Sequence, residues 1–190
     1  MAEFTLQAQT PLRGYSNRFG DTRLIELSDT AIYSISLALD SEPALKSIKA
    51  SLVSEWPDTG SSTTSADGVY RLLGLQQDQL FVLMQAPPES DGQSAKLPDL
   101  DQCAYITDQS DSWASLYIEG PSAVRALERI CPIDLHSSMF GIGQVTRTVM
   151  EHLAVIILCE TDNRYLLLSP TSSADSFLHS LEKSLQNVVK

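Results

Sequence analysis

SWASLYIEGPSAVRALERICPIDLH, residues 112–136, is the stretch on which the fold turns. Its opening residues, SWASLYIEG (112–120), read as a strand. Gly120-Pro121 breaks that strand and opens a helix, because proline at a first helical position has its φ preset and lacks only an N–H that would be orphaned anyway. Ala123, Ala126, Leu127 and Ile130 then recur at i, i+3, i+4 and i+7, one helical stripe, and Pro132 ends it. Downstream, GQVTRTVMEH (143–152), LAVIILCE (153–160) and RYLLLSP (164–170) predict three consecutive strands, the last pair turning at Asp162-Asn163. Ala174, Phe177, Leu178, Leu181, Leu185 and Val188 predict a closing amphipathic helix, with Ser172 and Asp175 as a capping box.

Upstream the same order of elements is met. TRLIEL (22–27) and AIYSISLAL (31–39) read as strands, the second alternating Tyr33, Ile35 and Leu37 against its neighbours. Leu45, Ile48, Leu52 and Trp56 predict a helix over 43–56, capped by Asp40 and Ser41. VYRLLGL (69–75) and QLFVLMQ (79–85) form a hairpin across Gln76, Gln77 and Asp78, and CAYITDQ (103–109) is a further strand. WPDTGSSTTSADG (56–68) reads as a solvated loop, and APPESDGQSAKLPD (86–99) as a connector with room for at most a short helix. The order β-α-β-β-(α)-β is that of a split βαβ unit. The expected fold is therefore α+β with duplicated ferredoxin-like lobes: a tail at 1–21, a first lobe at 22–109 and a second at 110–190.

Composition narrows the function. Of 190 residues, 43% are apolar, and 13 Lys and Arg stand against 24 Asp and Glu, a net charge of -11. Such a surface repels phosphate backbones and anionic lipid, so nucleic-acid and membrane roles are excluded. No run approaches the roughly 18 apolar residues of a spanning helix, and the N-terminus has no basic-then-apolar leader pattern; a cytoplasmic protein is expected. Cys103, Cys131 and Cys159 lie in separate segments without CxxC spacing and form no metal pattern with His136, His152 or His179, so they read as reduced structural thiols.

No GxGxxG, GxxxxGK[ST] or HExxH is present. Gly141-Ile142-Gly143 enters a strand rather than a helix, so it reads as a turn and not as a phosphate cradle. Cys131 with His136 is the one nucleophile-like pair, but the cysteine ends a predicted helix, where the dipole opposes a thiolate. No catalytic, cofactor-binding or metal residue is assigned. Trp113 and Tyr117 on their strand, and Arg13, Tyr15, Arg18 and Phe19 in the tail, are interface candidates, since interfaces favour aromatic and arginine side chains. The tail has no periodic apolar face and is expected to dock on a partner.

Three stretches carry a family resemblance. Residues 107–136 hold Ser110-Asp111 before Trp113, Gly120-Pro121, then Cys131-Pro132 and Asp134-Leu135-His136. NRYLLLSPTSSADSFLHSLEKSL (163–185) closes the chain, and TPLRG (10–14) precedes RLIEL (23–27). Together they resemble the gamma subunit of heterotetrameric sarcosine oxidase. The resemblance implies a fold related to the N-terminal part of the glycine-cleavage T-protein. It also implies a non-catalytic assembly role beside alpha, beta and delta subunits, in a complex that demethylates sarcosine to glycine with tetrahydrofolate as one-carbon acceptor. FAD, FMN, NAD and zinc would lie in the other subunits. The alternative is a free-standing folate-binding or aminomethyltransferase-like protein.

Overall fold

The computed structural model describes residues 9–38, 41–85, 97–98, 100 and 104–189. In chain order the elements are β1 (Ser16–Phe19), β2 (Thr22–Glu26), β3 (Thr30–Leu37), α1 (Ser41–Leu52), β4 (Ser62–Thr64), β5 (Tyr70–Gly74), β6 (Gln79–Gln85) and β7 (Ala104–Asp108). Then follow β8 (Trp113–Glu119), α2 (Ala123–Leu127), β9 (Val145–Met150), β10 (Leu153–Thr161), β11 (Arg164–Pro170) and α3 (Ala174–Val188). The strands form two antiparallel sheets, β1-β2-β8-β11-β10-β9 and β4-β5-β6-β3-β7.

Period-2 alternation builds four layers from these strands. In the larger sheet Leu116, Ile157 and Leu167 point to α2 and α3, where they join Ala126, Leu127, Phe177, Leu181 and Leu185. Their neighbours Ile156, Leu158, Leu166 and Leu168 face the smaller sheet and meet Ile32, Leu73, Phe81 and Leu83. The far side of the smaller sheet, with Ile35, Leu72, Leu80 and Val82, is covered by Ile48 and Leu52 of α1. Each fully buried Leu, Ile or Phe contributes roughly 1.5–3 kcal/mol, so the three apolar clusters between these layers hold the fold. Both sheets are buried on two faces, which is why LAVIILCE reads as an unbroken apolar run.

Helix ends depart from the expected bounds for local reasons. α1 stops at Leu52 because Val53 takes φ 49, a left-handed conformation that ends a helix; Trp56 packs on the core from outside the helix. α2 closes after Leu127, whose carbonyl accepts from both Ile130 N (3.0 Å) and Cys131 N (2.8 Å). A 3-10 turn, Thr171–Ser173, precedes α3, and Ser173 at its N-cap makes no side-chain cap, so the expected capping box is not built.

Three expectations are corrected. First, β2 pairs with β8, Arg23 opposite Glu119, and β1 pairs with β2, so residues 16–26 complete the sheet of the chain's second half and the lobes do not divide at residue 22. The pattern of a strand fixes its face and says nothing of its partner. Second, the loop at 56–68 contains β4, an edge strand on β5. Ser62 N donates to Gly143 O at 2.8 Å and Val145 N to Gly60 O at 3.0 Å, which ties this edge to the start of β9 in the other sheet. Third, the described part of the tail expected to dock on a partner, residues 9–21, packs on the chain's own second-half sheet and helix. Cys103 and most of the connector at 86–99 lie outside the described residues.

Candidate functional site

Glu26 organises the N-terminal segment. It follows Thr22 and Leu24 on the inward face of β2 and is buried. A carboxylate there needs donors, and TPLRG supplies them. Arg13 and Gly14 turn the chain with φ 59 and 73. Leu12 N then donates to Glu26 Oε1 at 2.8 Å, while Thr10 Oγ1 (2.8 Å), Gly14 N (2.7 Å) and Tyr15 N (3.3 Å) donate to Oε2. Leu12 is thereby buried, and Tyr15 and Phe19 pack on the same core, Tyr15 donating to Glu182 Oε1 of α3 at 2.5 Å. Arg13 and Arg18 remain exposed. Of the tail candidates, then, the two aromatics serve this chain's own packing and the two arginines face outward.

Trp113 and Tyr117 lie between the sheets. Trp113 meets Phe81 edge-on, with ring centroids 5.6 Å apart. Tyr117 sits where the apolar layer gives way to charge, in a cleft of about 270 Å³ whose walls include Leu27, Val69, Arg71, Leu83, Glu160 and Arg164. Its hydroxyl donates to Glu160 Oε1 at 2.8 Å, and the Arg164 guanidinium stacks 3.9 Å over its ring. Arg164 Nε lies 3.3 Å from Glu160 Oε2 and 3.8 Å from Glu119 Oε2. Burial, reinforced by the Glu160 carboxylate, raises the Tyr117 phenol above its ordinary range. Arg71 enters from β5 and donates from Nη1 to Thr64 Oγ1 at 2.9 Å.

Arg71, Glu160 and Arg164 escaped the sequence reading, though the signal was present. Each is a charged residue in step with inward leucines: Arg71 with Leu73, Glu160 with Leu158, Arg164 with Leu166.

Cys131 and His136 are not brought together as a nucleophile and base. Cys131 is buried in the helix-side core, where burial raises its thiol pKa, while His136 is exposed with Nδ1 2.8 Å from Ser138 Oγ. Gly143 leads into β9, so the Gly141–Gly143 turn has no helix N-terminus behind it. Among the described residues no three His, Cys, Asp or Glu side chains gather as a metal site requires, and no helix is long and apolar enough to cross a membrane.

The buried acids set an alkaline limit. Burial raises the Cys131 and Cys159 thiols above 9.0, and burial with the Glu182 hydrogen bond raises Tyr15 from 10.0 to about 12. The unfolded chain therefore loses these protons first, so their contribution is present below pH 9.0 and is lost as pH rises through the folded values. A melting temperature that falls steadily between pH 9.0 and about 12 is expected, with a shallower fall in Tyr15→Phe; equal slopes would contradict the assignment.

No protein-family profile matches the chain. In fold it is similar to the glycine cleavage system aminomethyltransferase T from Bartonella henselae, with a TM-score of 0.58 at 12% identity over 85% of this chain and 45% of that one. The architecture is thus a mixed α and β fold of the aminomethyltransferase T kind. It is also similar to a chain of the heterotetrameric sarcosine oxidase from Corynebacterium sp. U-96, with a TM-score of 0.80 at 18% identity, covering 96% of this chain and 97% of that one. In sequence it is similar to proteins named sarcosine oxidase subunit gamma. With that of Corynebacterium sp. (strain U-96) it is 28% identical over 74 residues, 39% of this chain and 36% of the relative. With that of strain P-1 it is 25% identical over 79 residues, 42% and 39% of the two chains. The aligned part spans little more than a third of the length of these curated relatives. The resemblance to the gamma subunit of heterotetrameric sarcosine oxidase is therefore met in both sequence and fold.

Proposed function

We propose that this chain is a gamma-type, non-catalytic subunit of a heterotetrameric sarcosine oxidase, acting in assembly and stability beside alpha, beta and delta chains. The observation that carries the reading is the convergence of two likenesses: local identity to proteins named subunit gamma, and an end-to-end fold match to a chain of the tetramer. On this reading the complex oxidatively demethylates sarcosine, with tetrahydrofolate accepting the carbon and with FAD, FMN, NAD and zinc held by the partners. The exposed Arg13 and Arg18 at the N-terminal turn, and Tyr105 and Ile106 on edge strand β7, are available to them.

The free-standing folate-binding alternative is less well supported by the cleft. About 270 Å³ falls below the roughly 300–1,000 Å³ usual for drug-sized ligands, and much of it borders charge already paired within the chain. The two readings part in one experiment. A tagged copy expressed in its native cells should be recovered with flavin-coloured partners whose absorbance bleaches on adding sarcosine, whereas the isolated chain should be colourless and give no heat with tetrahydrofolate. Recovery as a colourless single chain that binds tetrahydrofolate would replace the first reading with the second.

A further inference from the structure

We propose that the cleft between the sheets binds a small organic monocarboxylate, held by the Nε edge of Arg71 against the apolar wall of Leu27, Leu83 and Leu166. This goes beyond the subunit role and does not depend on it.

Two guanidinium groups, those of Arg71 and Arg164, line the cleft. Arg164 is committed by charge: it stacks on Tyr117 and forms ion pairs with Glu160 and Glu119, although its Nε, like that of Arg71, is buried without a hydrogen-bond partner. Arg71 is not. Nη1 is engaged by a neutral threonine hydroxyl, Nε is buried without a hydrogen-bond partner, and among the described residues the group forms no ion pair. A buried donor without an acceptor is rare and unfavourable, and here it belongs to a cation in an acidic protein beside an open volume. An oxygen reaching Arg71 from the cleft would complete it.

The same walls select the ligand. A guanidinium edge presents parallel N–H donors that match the two oxygens of a carboxylate. Only one positive charge is uncompensated, and Glu160 faces the same space, so a monoanion fits where a phosphate dianion would be repelled. Leu27, Leu83, Leu166 and the half-exposed Val69 offer a dry side for a compact apolar body. The volume suits a single ring or a short branched chain.

Benzoate and its uncharged isostere benzamide are the probes. Isothermal titration of the purified full chain at low salt should show saturable benzoate binding and at least about tenfold weaker benzamide binding. Arg71→Gln should weaken benzoate by about tenfold or more, and Arg71→Lys by less, because the point charge survives while the paired donors are lost. Val69→Trp, at an exposed rim position, should block binding without touching the charge, and it serves as the control if Arg71→Gln melts early. Equal affinity for benzamide, full affinity in both Arg71→Gln and Val69→Trp, or no saturable benzoate binding would each overturn the proposal.

Discussion

Gly120→Ala is expected to destabilise the chain by roughly 4 kcal/mol or more, lowering its melting temperature by roughly 10 °C. Gly120 ends β8 with φ 133, a conformation that side chains rarely adopt. The added carbon would lie 2.6 Å from Asp21 O, 2.6 Å from Thr22 Cα and 2.7 Å from Thr22 Oγ1. Two of these atoms are backbone, so no rotamer change relieves the overlap. The contact also matters beyond itself. Gly120 N donates to Asn163 O at 2.8 Å and Ser122 N to Thr22 Oγ1 at 3.0 Å, so the approach to α2, the start of β2 and the β10–β11 turn are all set at this point. A thermal melt decides the matter, and a shift of less than about 2 °C would show that β2 can move aside.

Glu26→Ala should cost about 3 kcal/mol, or roughly 8 °C, for a different reason. Nothing clashes. Instead Leu12 N, Gly14 N and Tyr15 N lose a shared acceptor, and a segment carrying one buried leucine and two packed aromatics loses its attachment. Glu26→Gln should fall between, since one amide oxygen remains but its NH2 meets other donors. Hydrogen exchange tests the cause as well as the size: the amides of residues 12, 14 and 15 should exchange faster in Glu26→Ala while those of α1 do not. Unchanged protection at those three amides would mean that Leu12, Tyr15 and Phe19 hold the segment without the carboxylate.

The strands most legible in the sequence were those whose neighbours are local or whose burial is extreme. The β5–β6 hairpin follows from two short apolar runs and a polar turn, and β10 from a run buried on both faces. β4 was not legible, because Ser62, Thr63 and Thr64 carry no apolar pattern and owe their extended form to β5 on one side and to Gly143 beyond. Non-local pairing hid β2 in the same way. TRLIEL reads as a strand, yet whether that strand served the first or the second sheet depended on β8. The site was legible in the same proportion: Tyr117 stood out as an aromatic, whereas Arg71, Glu160 and Arg164 acquire meaning only once three strands from two sheets converge.

The pairing of β2 with β8 has a temporal side. Thr22–Glu26 leaves the ribosome about ninety residues ahead of its partner Leu116–Glu119, an interval of roughly 5–20 s at ordinary bacterial or eukaryotic elongation rates. During that interval the amphipathic N-terminal strand has no sheet to join, while α1 and the β5–β6 hairpin already have theirs. The smaller sheet can therefore condense on the nascent chain, whereas the larger one gains β1 and β2 only when β8 has been made. Stalling translation between residues 109 and 116 would leave β2 as an unpaired edge, the form in which this chain is most exposed to aggregation or to capture by a chaperone.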